Sequence, residues 1–236
     1  MSEQARRYTI NEMFYSLQGE GARAGRPSVF VRFTGCNLRC RVEPGEKSPG
    51  GFDCDTEFAS GRSMSLEEVV AAIRAEHAGM TEGSGQVPQI VFTGGEPALQ
   101  LDRPLIDACK SLGYFICIET NGSIELPRSD FGAKSNVGEI ESIADALACY
   151  AVDWITVSPK VAEHAIRQKV AHEVKYVRGR GQSIPKPACR SLVRLISPTF
   201  NGLCSDSEAI KTVHQLALRN PGWGVSVQMH KLWNVR

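Results

Sequence analysis

Three cysteines lie close together in the segment GCNLRCRVEPGEKSPGGFDCDTEF, residues 35–58. Three residues separate Cys36 from Cys40, and thirteen more separate Cys40 from Cys54. Such a group could close a disulfide loop, hold zinc or bind an iron–sulfur cluster. A structural zinc site needs four ligands, and the histidine nearest in sequence, His77, belongs to a predicted helix. Three thiolates on a cluster would leave one iron open to an exogenous ligand, which implies chemistry at that iron.

The compartment decides how the eight cysteines are interpreted. The N-terminal stretch MSEQARRYTINEMF has no apolar run after its basic pair, and no 18-residue apolar segment follows. We therefore expect a cytoplasmic protein, in which thiols stay reduced and a disulfide framework is disfavoured. The five cysteines outside the cluster are predicted to be small buried apolar residues; these are Cys109, Cys117, Cys149, Cys189 and Cys204.

Composition and charge narrow the class of protein. Apolar residues make up 42% and charged residues 22%, as in a soluble globular protein. The net charge of +1 provides no general attraction to nucleic acid or to an acidic membrane surface. The 236 residues suit one domain, residues 1–236.

Alternating apolar and amphipathic segments predict the architecture. Apolar, β-branched runs predict strands at 28–34, 89–93, 114–120, 153–158, 172–177, 192–197 and 224–229. Capping boxes at Ser65/Glu68 and Ser205/Glu208 predict two helix starts, and a third helix covers 98–113, with Pro104 early enough to kink it. This rhythm predicts an α/β fold in which parallel strands form an open or partial barrel with helices outside.

Polar or glycine-rich segments follow six of these strands. In parallel α/β folds the ligand binds beyond the carboxyl ends of the strands, so the six segments are expected to converge on one rim. They are GCNLRC (35–40), GGEP (94–97), ETNG (119–122), SPK (158–160), SPTF (197–200) and QMHK (228–231). The segments 128–142 and 177–190 are predicted to be surface insertions or mobile loops.

The order of these motifs resembles the radical S-adenosylmethionine enzymes, which bind a [4Fe-4S] cluster through three cysteines. GCNLRC after one strand, CDT at 54–56 and TGGEP after the next strand carry the resemblance. The family spacing is most often C-x3-C-x2-C, so the interval before Cys54 is longer here. Asp53 also replaces the aromatic residue usual before the last cysteine.

Further motifs narrow the resemblance. With FYSLQGEG (14–21), ETNG, SPK and QMHK added, the chain is similar to the 7-carboxy-7-deazaguanine synthase family of queuosine biosynthesis. Some of these enzymes carry an enlarged cluster loop, so the resemblance implies an enlarged cluster-binding loop at 36–54 here. The resemblance implies a partial, open parallel β/α barrel with a reduced helix complement.

The same resemblance implies a reaction. A [4Fe-4S] cluster, S-adenosyl-L-methionine and Mg2+ would act on 6-carboxy-5,6,7,8-tetrahydropterin. Reduction of the cluster would split S-adenosylmethionine, and the 5′-deoxyadenosyl radical would take hydrogen from C6 of the pterin. Ring contraction with loss of ammonia gives 7-carboxy-7-deazaguanine. An electron donor such as flavodoxin or ferredoxin and a homodimeric state are implied as well.

The resemblance also implies roles for residues, which would position cofactor and substrate. The cluster ligands would be Cys36, Cys40 and Cys54, with Thr56 on Mg2+. Contacts to S-adenosylmethionine would come from Asp53, Cys54, Asp55, Gly94, Gly95, Glu96, Glu119, Asn121, Ser158, Pro159, Lys160, Ser197, Pro198, Thr199 and Phe200. Substrate contacts would come from Leu17, Gln18, Gly19, Glu20, Arg32, Thr93, His230 and the C-terminal carboxylate of Arg236.

Two of the substrate contacts also have a chemical rationale. Arg32 is expected to form a two-pronged pair with the substrate carboxylate. Glu20 is expected to accept hydrogen bonds from the donor-rich 2-aminopyrimidinone edge.

Two alternatives stay open. A glycyl-radical activase would share the cluster and GGEP but act on a protein, whereas SLQGEG and Arg32 favour a small anionic heterocycle. A zinc-stabilised binding module without catalysis is the alternative from a different class.

Overall fold

The computed structural model describes the backbone of residues 6–38, 40, 59–83, 85–133, 135–201, 204–205 and 207–235. The side chains at 200–201 and 204–205 are outside this description. Five predicted site residues also lie outside it, namely Asp53, Cys54, Asp55, Thr56 and Arg236.

Nine of the eleven strands in the described residues form one sheet. The strands are β1 (Tyr8–Leu17), β2 (Pro27–Phe33), β3 (Arg62–Met64), β4 (Gln89–Gly94), β5 (Ile116–Thr120), β6 (Trp154–Val157), β7 (Val170–Arg178), β8 (Arg190–Pro198), β9 (Phe200–Asn201), β10 (Cys204–Ser205) and β11 (Gly224–Val225). The sheet order is β11-β8-β7-β6-β5-β4-β2-β1-β3, and β9 pairs with β10 separately. All strands from β11 to β2 run parallel, whereas β1 and β3 are added antiparallel at one edge. The sheet is open, which confirms the predicted α/β class.

Five helices accompany the sheet in the described part of the chain. They are α1 (Leu66–Thr81), α2 (Arg103–Ser111), α3 (Ile143–Ala148), α4 (Ser207–Arg219) and α5 (Met229–Trp233). Between β6 and β7 the only helical turn described is a 3-10 turn at Glu163–Ala165. The helix complement is thus reduced, as expected. None of the helices described has the length and apolar character needed to cross a membrane.

The helix termini show which local signals were reliable. The capping box at the start of α1 is confirmed. The Ser65 hydroxyl accepts a hydrogen bond from the amide of Glu68 at 3.2 Å, and the amide of Ser65 donates to the Glu68 carboxylate at 2.6 Å. The prediction for 98–113 was wrong at its start. Asp102 caps α2, so Pro104 lies in the first turn, where its missing N–H breaks no helical hydrogen bond and no kink results.

The two faces of the sheet have different chemistry because successive side chains alternate. On the outer face, residues such as Val31, Phe92 and Ile118 join the core that includes Ile73 of α1 and Leu105 of α2. On the inner face a smaller apolar cluster is formed by Phe14, Phe30, Val91, Cys117 and the partly buried Trp154.

A polar row follows on the inner face, one step nearer the carboxyl ends of the strands. Arg32 of β2 is in register with Thr93 of β4. Glu119 of β5 is in register with Thr156 of β6, which in turn pairs with Glu173 of β7. The inner face therefore offers polar groups directly beneath the rim, whereas its lower part is apolar.

Some sequence predictions need correction. The segment 128–142 is not a loose insertion, because Val137 is buried and Arg190 donates to the carbonyls of Val137, Ile140 and Glu141. The predicted strand at 224–229 is limited to β11. The prediction for scattered cysteines is confirmed for the four whose side chains are described, Cys109, Cys117, Cys149 and Cys189, which are buried.

Candidate active site

The cysteine loop starts at the end of β2 and is bound to the GGEP loop through the backbone. The amide of Gly95 donates to the carbonyl of Phe33 at 3.0 Å, and the amide of Glu96 donates to the carbonyl of Gly35 at 2.9 Å. These bonds hold the residue before Cys36 directly against the turn after β4. The two most distinctive motifs of the sequence are thus parts of one surface.

The two glycines of GGEP make this approach possible. Gly94 has φ of +113°, a conformation that disfavours any side chain. A Cβ on Gly95 would overlap the carbonyl group of Gly35. The glycine pair therefore allows the two loops to pack in backbone contact, and it leaves room for a ligand to approach the chain closely.

Side chains from the ETNG loop hold the cysteine loop from a second side. Asn121 donates to the amide oxygen of Asn37 at 3.1 Å, and Asn37 donates to Ser123 at 2.8 Å. Asn37 lies between the first two cysteines and was not among the predicted site residues. Its contacts fix the loop where a cluster would sit.

Glu96 is completely buried, and its carboxylate is used by the protein itself. It accepts from the Thr120 hydroxyl at 2.6 Å, from the amide of Asn121 at 2.7 Å and from the amide of Ala98 at 3.0 Å. Burial raises the pKa of this carboxyl, and the three hydrogen bonds oppose that rise. Glu96 thus ties the loop after β4 to the loop after β5.

The described residues of the cysteine loop fit an iron–sulfur cluster. Cys40 is buried, and the amide of Leu38 points to the sulfur of Cys36 at 3.4 Å. Amides directed at sulfur are typical of cluster environments. Because Cys54 lies outside the described residues, those that are described include no complete group of three metal-binding side chains.

Other predicted cofactor residues lie along the same carboxyl edge. The amide of Ser158 donates to the carbonyl of Thr120 at 2.8 Å, and Lys160 donates to the Ser158 hydroxyl at 2.8 Å. At the end of β8, Ser197 is buried and the amide of Thr199 donates to the carbonyl of Arg178 at 3.2 Å. The structure therefore brings SPK and SPTF to the rim that also carries Cys36.

Glu119 lies among the predicted substrate residues. Gln18 donates to one oxygen of this carboxylate at 3.0 Å, and Thr93 donates to the other at 3.1 Å. The sequence associated Glu119 with the cofactor, but its side chain points to the inner face. Gln18, Glu20, Glu119 and Glu173 line a small cavity there.

The C-terminal segment meets the SLQGEG segment. The amide of Met229 donates to the carbonyl of Gly19 at 2.8 Å, and the ring of His230 packs so closely that a Cβ on Gly19 would overlap it. Gly19 and His230 are therefore neighbours, as a shared substrate role requires. Leu17 is different, since it pairs with Pro27 at the opposite end of β2 from Cys36 and is partly exposed.

Arg32 points into the inner face beside Thr93. Its Nε is buried and makes no hydrogen bond within the described part of the chain, although a carboxylate oxygen of Glu12 lies 3.3 Å away. The guanidinium carbon lies 5.5 Å from the centre of the Phe14 ring. A buried donor without a hydrogen bond is costly, so this arginine is suited to receive an anionic ligand.

Sequence reasoning missed the cation that faces Glu20. Lys175 of β7 forms a buried ion pair with Glu20, and Gln228 donates to the second carboxylate oxygen at 2.5 Å. Burial alone would raise the pKa of Glu20, but Lys175 and Gln228 lower it to about 2. The spacing of Glu173 and Lys175 in β7 was the available signal, since it places both on one face.

Known proteins resemble the chain over nearly all of its length, although no family model matches it. The 7-carboxy-7-deazaguanine synthase of Bacteroides thetaiotaomicron is 34% identical over 231 residues, which cover 96% of this chain and 98% of that one. The synthase of Nitratidesulfovibrio vulgaris is 36% identical over 238 residues, with 95% and 97% covered. The crystal structure of QueE from Escherichia coli matches with a TM-score of 0.59 and 26% identity, covering 95% of both chains.

The open parallel sheet, with a cysteine loop and a GGEP turn bonded together at its carboxyl edge, defines a radical S-adenosylmethionine enzyme. Such an enzyme uses S-adenosylmethionine and an iron–sulfur cluster. Identity to the curated synthases extends from near one end of the chain to near the other. The chain belongs to the 7-carboxy-7-deazaguanine synthase family.

Proposed function

We propose that the protein is a lyase that converts 6-carboxy-5,6,7,8-tetrahydropterin to 7-carboxy-7-deazaguanine with loss of ammonia, in queuosine biosynthesis. The proposal is based mainly on one observation: the GCNLRC and TGGEP loops are joined by backbone hydrogen bonds directly above the polar inner face. Family membership supports the same reaction.

The cofactors would be held at the rim. Cys36, Cys40 and Cys54 would bind the cluster, and the backbone at Gly94 and Gly95 would approach S-adenosylmethionine. When bound, these cofactors supply the radical chemistry that removes a hydrogen atom from the substrate. Glu96 contributes by holding its own loop in place, since its carboxylate is already bonded to three donors.

The substrate would lie on the inner face, below the rim. Arg32 would bind the carboxylate of the pterin, because its buried Nε lacks a hydrogen bond among the described residues. Gln18, Thr93 and Glu119 already form one hydrogen-bonded group, which offers donors and acceptors to a heterocyclic ring. His230 would close the site from the C-terminal side and help exclude water.

Three further expectations complete the proposal. Mg2+ would be bound through the hydroxyl of Thr56, because Mg2+ prefers oxygen ligands and often keeps most of its bonds for substrate and water. The electron donor would be a small redox protein such as flavodoxin or ferredoxin. The active species would be a homodimer.

A direct assay tests the reaction. Anaerobically reconstituted and reduced protein, incubated with S-adenosylmethionine and 6-carboxytetrahydropterin, is expected to yield 7-carboxy-7-deazaguanine, identified by mass. The same assay after chelation is expected to show lower turnover that added Mg2+ restores. A colourless protein that holds zinc and no iron would contradict the enzyme assignment and favour a binding module.

Replacement of Arg32 by lysine tests the carboxylate contact. We expect substrate affinity to fall by about 10- to 100-fold, because an ammonium group cannot form the two-pronged pair. Cleavage of S-adenosylmethionine by dithionite should survive. Arg194→Lys is the matched control, since Arg194 is an exposed strand arginine on β8. Equal substrate affinity in Arg32→Lys and in wild type would rule out this contact.

A further inference from the structure

One buried carboxylate connects two distant parts of the substrate site. One oxygen of Glu20 is paired with Lys175 of β7, and the other accepts from Gln228 at 2.5 Å. The side chain of Lys175 is only 8% exposed and that of Glu20 17% exposed. The ion pair therefore lies inside the protein, between the inner face of the sheet and the SLQGEG segment.

Three more contacts join the SLQGEG segment to the residues around Gln228. The amide of Gly21 donates to the hydroxyl of Ser226 at 2.9 Å. The amide of Met229 donates to the carbonyl of Gly19, and the His230 ring packs against Gly19. Residues 19–21 and 226–230 thus form one unit, which Lys175 joins to β7 and the amide of Ser226 joins to the carbonyl of Ile196 in β8.

The charges around Lys175 explain why this cation is needed. Glu20, Glu119 and Glu173 all act on it electrostatically, so it faces three carboxyl groups. Glu173 also accepts from the amide of Ala22 at 2.7 Å, which places a second acid against the same segment. Without Lys175, Glu20 would lose its main counter-charge and keep only the weaker electrostatic effect of His230, so the segment would have to move or take up a proton.

We propose that Lys175 is a positioning residue for the reaction. By holding Glu20, it fixes Gly19 and the C-terminal segment that carries His230 at the places where the substrate binds. The substrate part of this inference rests on the proposed function. Glu20 accordingly acts by anchoring the segment, in addition to any contact that it makes with the pterin.

The first test measures position without any cofactor. Hydrogen–deuterium exchange in a peptide that covers residues 224–235 reports on the Met229 amide. We expect exchange to be about tenfold faster in Lys175→Met and close to wild type in Lys175→Arg, which restores the charge. Lys169→Met is the matched control, because Lys169 is exposed just before the same strand. Wild-type exchange in Lys175→Met would overturn the proposal.

The second test separates binding from chemistry. In Lys175→Met we expect KM for the pterin to rise about tenfold, while cleavage of S-adenosylmethionine without substrate stays within about twofold of wild type. If Lys175→Met does not fold, the double variant Glu20→Gln/Lys175→Met replaces it and is judged by exchange alone, because Glu20 is itself a predicted substrate contact; faster exchange at 224–235 is again expected. Wild-type exchange in this double variant would overturn the proposal. Failure of the wild-type protein to form a deazaguanine would refute the proposed function alone, since the exchange result does not depend on it.

Discussion

Cys36→Ala is expected to abolish cluster binding, with anaerobically reconstituted protein holding less than about one tenth of the wild-type iron and sulfide. A cluster with one open iron depends on all three thiolates, and Cys36 lies where the loop is fixed by Gly95, Glu96 and Asn37. Iron and sulfide analysis, together with the visible absorbance of the cluster, measures the loss. Reductive cleavage of S-adenosylmethionine should disappear with it.

Cys149→Ala is the matched control for this experiment. Cys149 is completely buried in the apolar core and contributes no ligand in our interpretation. We expect its replacement to cost about 1 kcal/mol of stability or less and to leave the iron content unchanged. A full complement of iron in Cys36→Ala would show that Cys36 is not a ligand.

Gly95→Ala is expected to damage the same site by sterics alone. The added methyl group would overlap the carbonyl of Gly35, so the GGEP loop and the cysteine loop must separate. We expect a loss of about 1–3 kcal/mol in the free energy of unfolding, as for overpacking elsewhere. Binding of S-adenosylmethionine should weaken by about tenfold or more, because we propose that its site lies where the loops meet.

Gly79→Ala provides the contrast. Gly79 lies in α1, and a Cβ there would meet no atom within 4 Å. The substitution should stabilise the protein by about 0.5–1 kcal/mol through its effect on the helix. Denaturant unfolding measures the stability of both variants, and equilibrium binding measures their affinity for S-adenosylmethionine. If Gly95→Ala matches Gly79→Ala in stability and in affinity for S-adenosylmethionine, the close approach of the two loops is not needed for folding or for binding.

The central strands could be predicted from the sequence because they are covered by helices on one face and are apolar on much of the other. Runs such as QIVFT and SVFVRFT follow from this burial. The sequence did not predict β1, because its pairing with β2 is irregular. A register shift between Ile10 and Glu12 interrupts the alternation of buried and exposed residues that would have marked it as a strand.

Only part of the site could be predicted, because some of its contacts join residues that are far apart in the sequence. Motifs such as GCNLRC and GGEP are local in sequence, so their residue types already indicate their chemistry. The partners of these motifs are not local. Glu20 and Lys175 are 155 residues apart, and the role of Asn37 depends on a loop 84 residues away. Such pairs are set by sheet order, which residue patterns do not specify.

The contact between Glu20 and Gln228 spans 208 residues. A chain leaving the ribosome can pair β1 with β2 early, but Glu20, in the connection between them, must wait for 208 further residues before its amide partner exists. Closing so long a loop is slow, so this part of the molecule should be among the last to mature. A cell making the protein would then carry a pool of molecules in which the sheet has formed but Glu20 has not yet met Gln228.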